Sequence, residues 1–241
     1  MTSISFRPVL LVLLVLLAAA AFLAPSASAQ LNPFAKNATK LDFRLQRMSE
    51  RFVDMQREPG KRIPADLIAR ARGIIILHKF KAGFLVGGEG GGGVALVRDK
   101  NTGLWSAPAF ISTAGGSYGL QIGAKESTVV LLLMNEVGLR PLLGGSVNVG
   151  VDVAATAGPF DEGAKIDTTT VRDPILVYAT SDGLFAGAAF KGGAIVPADN
   201  NNRTYYGREM NEILFGGSQR PTPNGQRLID VIETYAGRRG R

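Results

Sequence analysis

Between Gly73 and Gly217 the chain is an apolar stretch broken at short intervals by glycine. It holds most of the protein's 30 glycines and its single tryptophan. Segments such as Gly83-Phe84-Leu85-Val86-Gly87-Gly88, Gly119-Leu120-Gln121-Ile122-Gly123 and Gly183-Leu184-Phe185-Ala186-Gly187 recur along it. In a strand, glycines four apart fall on one face, because side chains alternate with period two. That face is bare, so another backbone, a ring or a ligand can approach it closely. The feature therefore poses a question that the fold must answer: does the bareness serve packing or a partner?

Around the glycines lie strand signals. Ile74-Ile75-Ile76-Leu77 and the run from Val129 to Met134 are apolar throughout, as buried strands are. Val147, Val149, Val151 and Val153 alternate with Asn148, Gly150, Asp152 and Ala154, and Ile175 to Tyr178 reads as another buried strand. Asp99-Lys100-Asn101-Thr102-Gly103 signals a turn into Leu104 to Ile111, Ala114-Gly115-Gly116-Ser117 a flexible segment, and Asp199 to Asn202 a polar turn. The run Gly87-Gly88-Glu89-Gly90-Gly91-Gly92-Gly93 lacks the Lys-Ser/Thr of a phosphate loop and reads as a bend or bulge. Several strands between terminal helices give an α+β domain. Its sheet is antiparallel and strongly bent, or a partly closed β-barrel with glycines at the corners.

The helices flank this stretch. From Lys40 to Arg57, Leu41, Leu45, Met48, Phe52 and Met55 form one stripe at helical spacing, and Lys40, Arg44, Arg47 and Arg51 lie along one flank of it. Glu58-Pro59-Gly60 ends the helix. Two readings stand: a core-packed helix with its arginine stems laid over the domain edge, or a helix that beds at an anionic membrane surface. Pro64 and Gly73 bracket a short second helix. Tyr205-Tyr206-Gly207 leads a helix to Leu214, and after a Pro221/Pro223 linker Leu228, Ile229, Ile232 and Tyr235 mark the last one, ahead of a basic tail.

Residues 1–29 read as a secretory signal peptide: Arg7, an apolar run from Val9 to Ala24, then Ala27-Ser28-Ala29 with cleavage near Ala29. An uncleaved anchor is the alternative. Residues 30–39 form a leader, 40–217 the main domain and 218–241 a linker with the C-terminal helix. Exported as periplasmic or secreted protein, the mature chain carries a formal +6, since 27 basic residues less Arg7 face 20 acidic ones. That balance points to anionic lipid or acidic polymer rather than nucleic acid. The absence of cysteine excludes disulfides, thiolate metal sites and a catalytic thiol. His78 is the only histidine, so neither a second histidine ligand nor a histidine-based triad beyond it is available, and no metal or cofactor is expected. His78-Lys79-Phe80-Lys81 places three potential cations near a turn. Glu89 and Asp152 are the carboxylates that a hydrolase reading would pair.

Taken in order, Arg62-Ile63-Pro64, Gly73-Ile74-Ile75-Ile76-Leu77, Lys81-Ala82-Gly83-Phe84, Gly103-Leu104-Trp105-Ser106-Ala107-Pro108, Gln121-Ile122-Gly123-Ala124, Gly183-Leu184-Phe185-Ala186-Gly187 and Tyr206-Gly207 through Ile213-Leu214-Phe215-Gly216 resemble the motifs of the SYLF-domain family. The resemblance implies a non-enzymatic module that binds phosphoinositides or other anionic lipids, with actin as a further partner of fungal and animal members. It also implies that an N-terminal basic amphipathic helix takes part. The expected lipid contacts are thus Lys40, Arg44, Arg47 and Arg51, with Lys79 and Lys81. Anionic membrane lipids are the expected partner and an envelope protein the alternative one. Export makes actin an unexpected partner.

Overall fold

The apolar runs at 74–77 and 129–134 are buried along their whole length, which requires a sheet covered on both faces. The computed structural model describes residues 33–84, 86–118, 123–143, 147–148, 153–159, 173–180 and 194–237. The strands are β1 (Gly73–Phe84), β2 (Val86–Val97), β3 (Ala109–Tyr118), β4 (Gly123–Leu133), β5 (Val147–Asn148), β6 (Ala155–Ala157), β7 (Ile175–Ala179) and β8 (Ala194–Pro197). They form one sheet in the order β5-β8-β3-β2-β1-β4-β7-β6. Neighbours are antiparallel except β6 and β7, which are parallel. The sheet is strongly curled into a half-barrel, and with its flanking helices the domain is α+β.

The helices are α1 (Pro33–Arg57), α2 (Ala65–Arg70), α3 (Glu136–Leu143), α4 (Asp199–Tyr206), α5 (Met210–Phe215) and α6 (Pro223–Tyr235). On one face Ile74, Ile76, Val94, Leu96 and Val130 share a core with α1, α2 and α6. On the other, Ile75, Leu77, Ala95 and Leu131 pack with Leu139 and Leu142 of α3 and with Ile213 and Leu214 of α5. Alternation along β1 splits its apolar run between these two cores. The stripe of α1 is fully part of the first one: Leu41, Leu45, Met48, Phe52 and Met55 are 0–5% exposed. Each contributes about 1.5–3 kcal/mol by burial.

Several local expectations are corrected. The glycine run is no bend; it lies inside β2, paired along its length with β1 and β3. A Cβ at Gly93 would overlap the Ile76 carbonyl, and one at Gly91 the His78 carbonyl. These glycines let β1 and β2 approach where the sheet curls. Likewise His78 to Lys81 are strand residues of β1, in the half that leads to β2, and 114–117 belong to β3. Asp199 to Asn202 open α4, and α1 begins at Pro33, inside the expected leader, where a first-turn proline leaves no N–H unpaired. Helix α6 is core: Leu228 and Ile232 are fully buried in the cluster that holds α1. The Asp99 turn stands as read. Asp99 Oδ1 accepts from the N–H groups of Asn101 and Thr102, and Gly103 takes φ +71°. The signal segment, most of the Val147–Val153 alternation and the Gly183–Gly187 motif lie outside the described residues.

Polar fastenings fix the outer helices. Asp42 accepts from Tyr205 Oη at 2.5 Å and from Asn224 Nδ2 at 2.7 Å, tying α1 to α4 and α6. Glu233 of α6 accepts from Trp105 Nε1 at 2.6 Å and from Arg98 Nη2 at 2.8 Å, and the Arg98 guanidinium stacks 4.3 Å from the Trp105 ring. Asn202, fully buried, accepts from the Phe110 N–H at 2.7 Å and donates to its carbonyl at 3.0 Å, completing the strand's hydrogen bonding from a helix.

Candidate functional site

Asp42 is bonded at one edge of the α1 stripe, and this sets the roll of the helix about its axis. At 100° per residue, Lys40, Phe43, Arg44, Arg47 and Arg51 then fall along the opposite edge. This edge overhangs the far halves of β1, β2 and β3, and a groove of about 660 Å³ lies between them. His78, Gly92 and Ser112, with the backbone of Gly91, form its floor, and Asn201 of α4 also borders it. Phe43 and Phe80 stand at its rim, 60% and 50% exposed.

The glycines have a second use here. Gly90 lies under the Phe80 ring, whose Cζ would be 3.0 Å from an added Cβ. A Cβ at Gly92 would be 3.7 Å from Arg44 Nη1. So the odd-numbered pair Gly91 and Gly93 admits neighbouring backbone, while Gly90 and Gly92 open the face on which a ring and a guanidinium rest. Bareness serves the curl of the sheet on one side and the groove on the other.

The groove is cationic but not uniformly so. Among the described residues no carboxylate lies within ion-pair distance of Lys40, Arg44 or Arg47. Arg51 is met by Glu126 of β4, with Nη2 donating to Oε2 at 3.3 Å, and the same oxygen lies 3.0 Å from His78 Nε2. The hydrogen bond from His78, then that from Arg51, hold the Glu126 carboxyl below the usual carboxylate range. Glu126, Phe80 and His78 come together through register: His78 pairs with Thr128 and Phe80 with Glu126.

Of the six expected contact residues, the four on α1 share this groove. Lys79 does not: it is 5% exposed, on the sheet face opposite His78 and Phe80. The backbone of Lys81 follows the same alternation, and its side chain lies outside the described set. Of the carboxylates paired in the hydrolase reading, Asp152 and the Glu89 side chain also lie outside it. Phe43, Phe80, His78 and Glu126 were missed as site residues. The aromatic positions were legible, since Phe43 falls on the basic flank of the α1 wheel.

Comparisons with known proteins follow the same outline. The family model described as "Ysc84: Las17-binding protein actin regulator" matches residues 114–235. That segment runs from β3 to the end of α6 and leaves α1 outside. The chain is 34% identical over 189 residues to an SH3 domain-containing YSC84-like protein 1 of Xenopus laevis, covering 76% of this chain and 56% of that relative. Against the human protein of the same name it is 32% identical over 181 residues, covering 73% and 52%. Against LAS seventeen-binding protein 3 of Saccharomyces cerevisiae it is 33% identical over 179 residues, covering 72% and 39%. The chain thus spans about half the length of the vertebrate relatives and less of the yeast one. On a family match over half its length and relatives above 30% identity across most of it, the chain belongs to the Ysc84, or SYLF-domain, family of actin-regulator-related proteins.

Proposed function

We propose that this domain is a non-enzymatic binder of anionic lipid, working at a membrane surface after export to the periplasm or beyond the cell. The observation that carries the reading is the groove itself. Lys40, Arg44 and Arg47 stand there without carboxylate partners among the described residues, beside two exposed rings, Phe43 and Phe80. A phosphate headgroup supplies the missing charge. The rings suit the interface between headgroup and acyl chain, where aromatic side chains are favoured. Because the α1 stripe is buried, contact is made through its outer flank, and the helix stays docked on the sheet.

Co-sedimentation with vesicles tests this. Binding to phosphatidylcholine vesicles doped with anionic lipid, weakening as salt rises and lost in Arg44→Ala/Arg47→Ala/Arg51→Ala, is the expected result. Equal binding to neutral vesicles, or no loss in the variant, overturns the site. A second reading, a protein-interaction module of the cell envelope, draws on the burial of the α1 stripe, which a purely structural helix would share. It predicts hydrogen-exchange protection of Lys40–Arg57 that lipid leaves unchanged, with no vesicle binding.

A further inference from the structure

Among the described residues, one acid meets the lining of the groove, and an anion-binding surface does not need it. Glu126 of β4 places a single carboxylate oxygen 3.3 Å from Arg51 Nη2 and 3.0 Å from His78 Nε2, both of which line the groove. Its side chain is 65% exposed, and an ion pair that open to water contributes little to stability. It nevertheless cancels one of the four cations along the α1 flank, next to the three that have no such partner. In the register it pairs with Phe80, whose exposed ring stands at the groove rim.

We propose that Glu126 is a tethered counter-ion: its carboxylate stands on Arg51 and His78 where a ligand phosphate would, and an entering headgroup must displace it. The inference rests on the reading of the groove as an anionic-lipid site. Displacement sets a selectivity. A phosphodiester carries one negative charge and exchanges like for like with the carboxylate. A terminal phosphate monoester carries up to two charges and three acceptor oxygens, so it replaces the carboxylate with a gain. Glu126 therefore favours headgroups that end in a phosphate monoester over those held by a diester alone.

The test compares the full chain with Glu126→Gln, which keeps size and hydrogen-bonding capacity at an exposed position. Binding is measured to phosphatidylcholine vesicles containing phosphatidylglycerol (diester) or phosphatidic acid (monoester). Glu126→Gln is expected to tighten binding to the diester vesicles about two- to fivefold, with a smaller gain on the monoester vesicles, so that the preference narrows. Arg51→Gln should do little in the native background and weaken binding when Glu126→Gln is present. Unchanged or weaker binding of Glu126→Gln on both vesicles, while Arg44→Gln/Arg47→Gln still abolishes it, overturns the counter-ion and leaves the lipid reading intact. If the native chain binds neither vesicle, the lipid reading fails, and inorganic phosphate alone decides the rest. A shift of the His78 ring resonances that grows in Glu126→Gln supports a counter-ion to a free anion, and no response overturns it.

Discussion

Glu233 is the test of how the tryptophan segment holds the C-terminal helix. Its carboxylate accepts from Trp105 and Arg98, and the Arg98 and Glu233 side chains are only 8% and 18% exposed. Glu233→Ala leaves a buried guanidinium without this carboxylate and the indole N–H without its acceptor. Breaking a buried pair from one side is destabilising by about 3–5 kcal/mol. That is a large part of the roughly 5–15 kcal/mol that holds an ordinary domain. With a urea dependence of about 2 kcal/mol per molar, the unfolding midpoint falls by roughly 1.5–2.5 M. Trp105 is the only tryptophan and sits in the contact, so its emission reports the transition directly. Glu233→Gln keeps an oxygen for the indole and should lose less. Arg98→Met/Glu233→Gln removes the guanidinium as well and should recover most of the deficit. A Glu233→Ala midpoint within about 0.5 M of native, a loss near 1 kcal/mol, would place the pair with weak surface pairs and refute the argument.

Three further outcomes are expected. Gly93→Ala forces a Cβ onto the Ile76 carbonyl and should destabilise by more than about 2 kcal/mol, with a steep fall in the thermal midpoint. Gly92→Ala, whose Cβ clears the Ile111 carbonyl at 3.5 Å, should lie between neutral and about 1 kcal/mol more stable; circular dichroism melts separate the two. Asn202→Ala strips the Phe110 N–H of its partner inside the core and should destabilise by about 1–3 kcal/mol in urea unfolding. Burial, and then the bond to the Asp42 carboxylate, push the Tyr205 phenol up to about 12, and burial raises Tyr178 and Tyr206 as well. Raised phenols favour the fold below their unfolded value near pH 10, and this contribution is lost as pH climbs from 10 towards 12. Stability should therefore fall across that window, and a flat profile would contradict the placement.

Much of this domain was legible because its strongest patterns are local. The α1 stripe needs only helical spacing, and the unbroken apolar runs at 74–77 and 129–134 imply a sheet covered on both faces. The glycine run was not legible as a strand, since glycine has little strand preference of its own. Gly91 is a strand residue because Lys79 flanks it on one side and Thr113 on the other, a tertiary fact. The site was half legible for the same reason. Spacing gathers Lys40, Arg44, Arg47 and Arg51, but it takes sheet register to bring Glu126 and His78 to Arg51. Lys79 is expected among the lipid contacts only while the strand is read no further than Leu77; β1 runs on to Phe84 and buries it. Carried four residues further, period-two alternation would have turned it away from His78 and Phe80.

A tryptophan reporter on the groove rim tests most directly whether a lipid phosphate is held between α1 and the glycine-rich strands. Phe43→Trp adds a second indole at a position 60% exposed on the groove rim, whereas Trp105 is 9% exposed. A blue shift in emission on anionic vesicles, absent on neutral vesicles and absent when Arg44→Gln/Arg47→Gln is added, is the predicted result. Vesicle binding that leaves this emission unmoved would put the contact elsewhere and contradict the account.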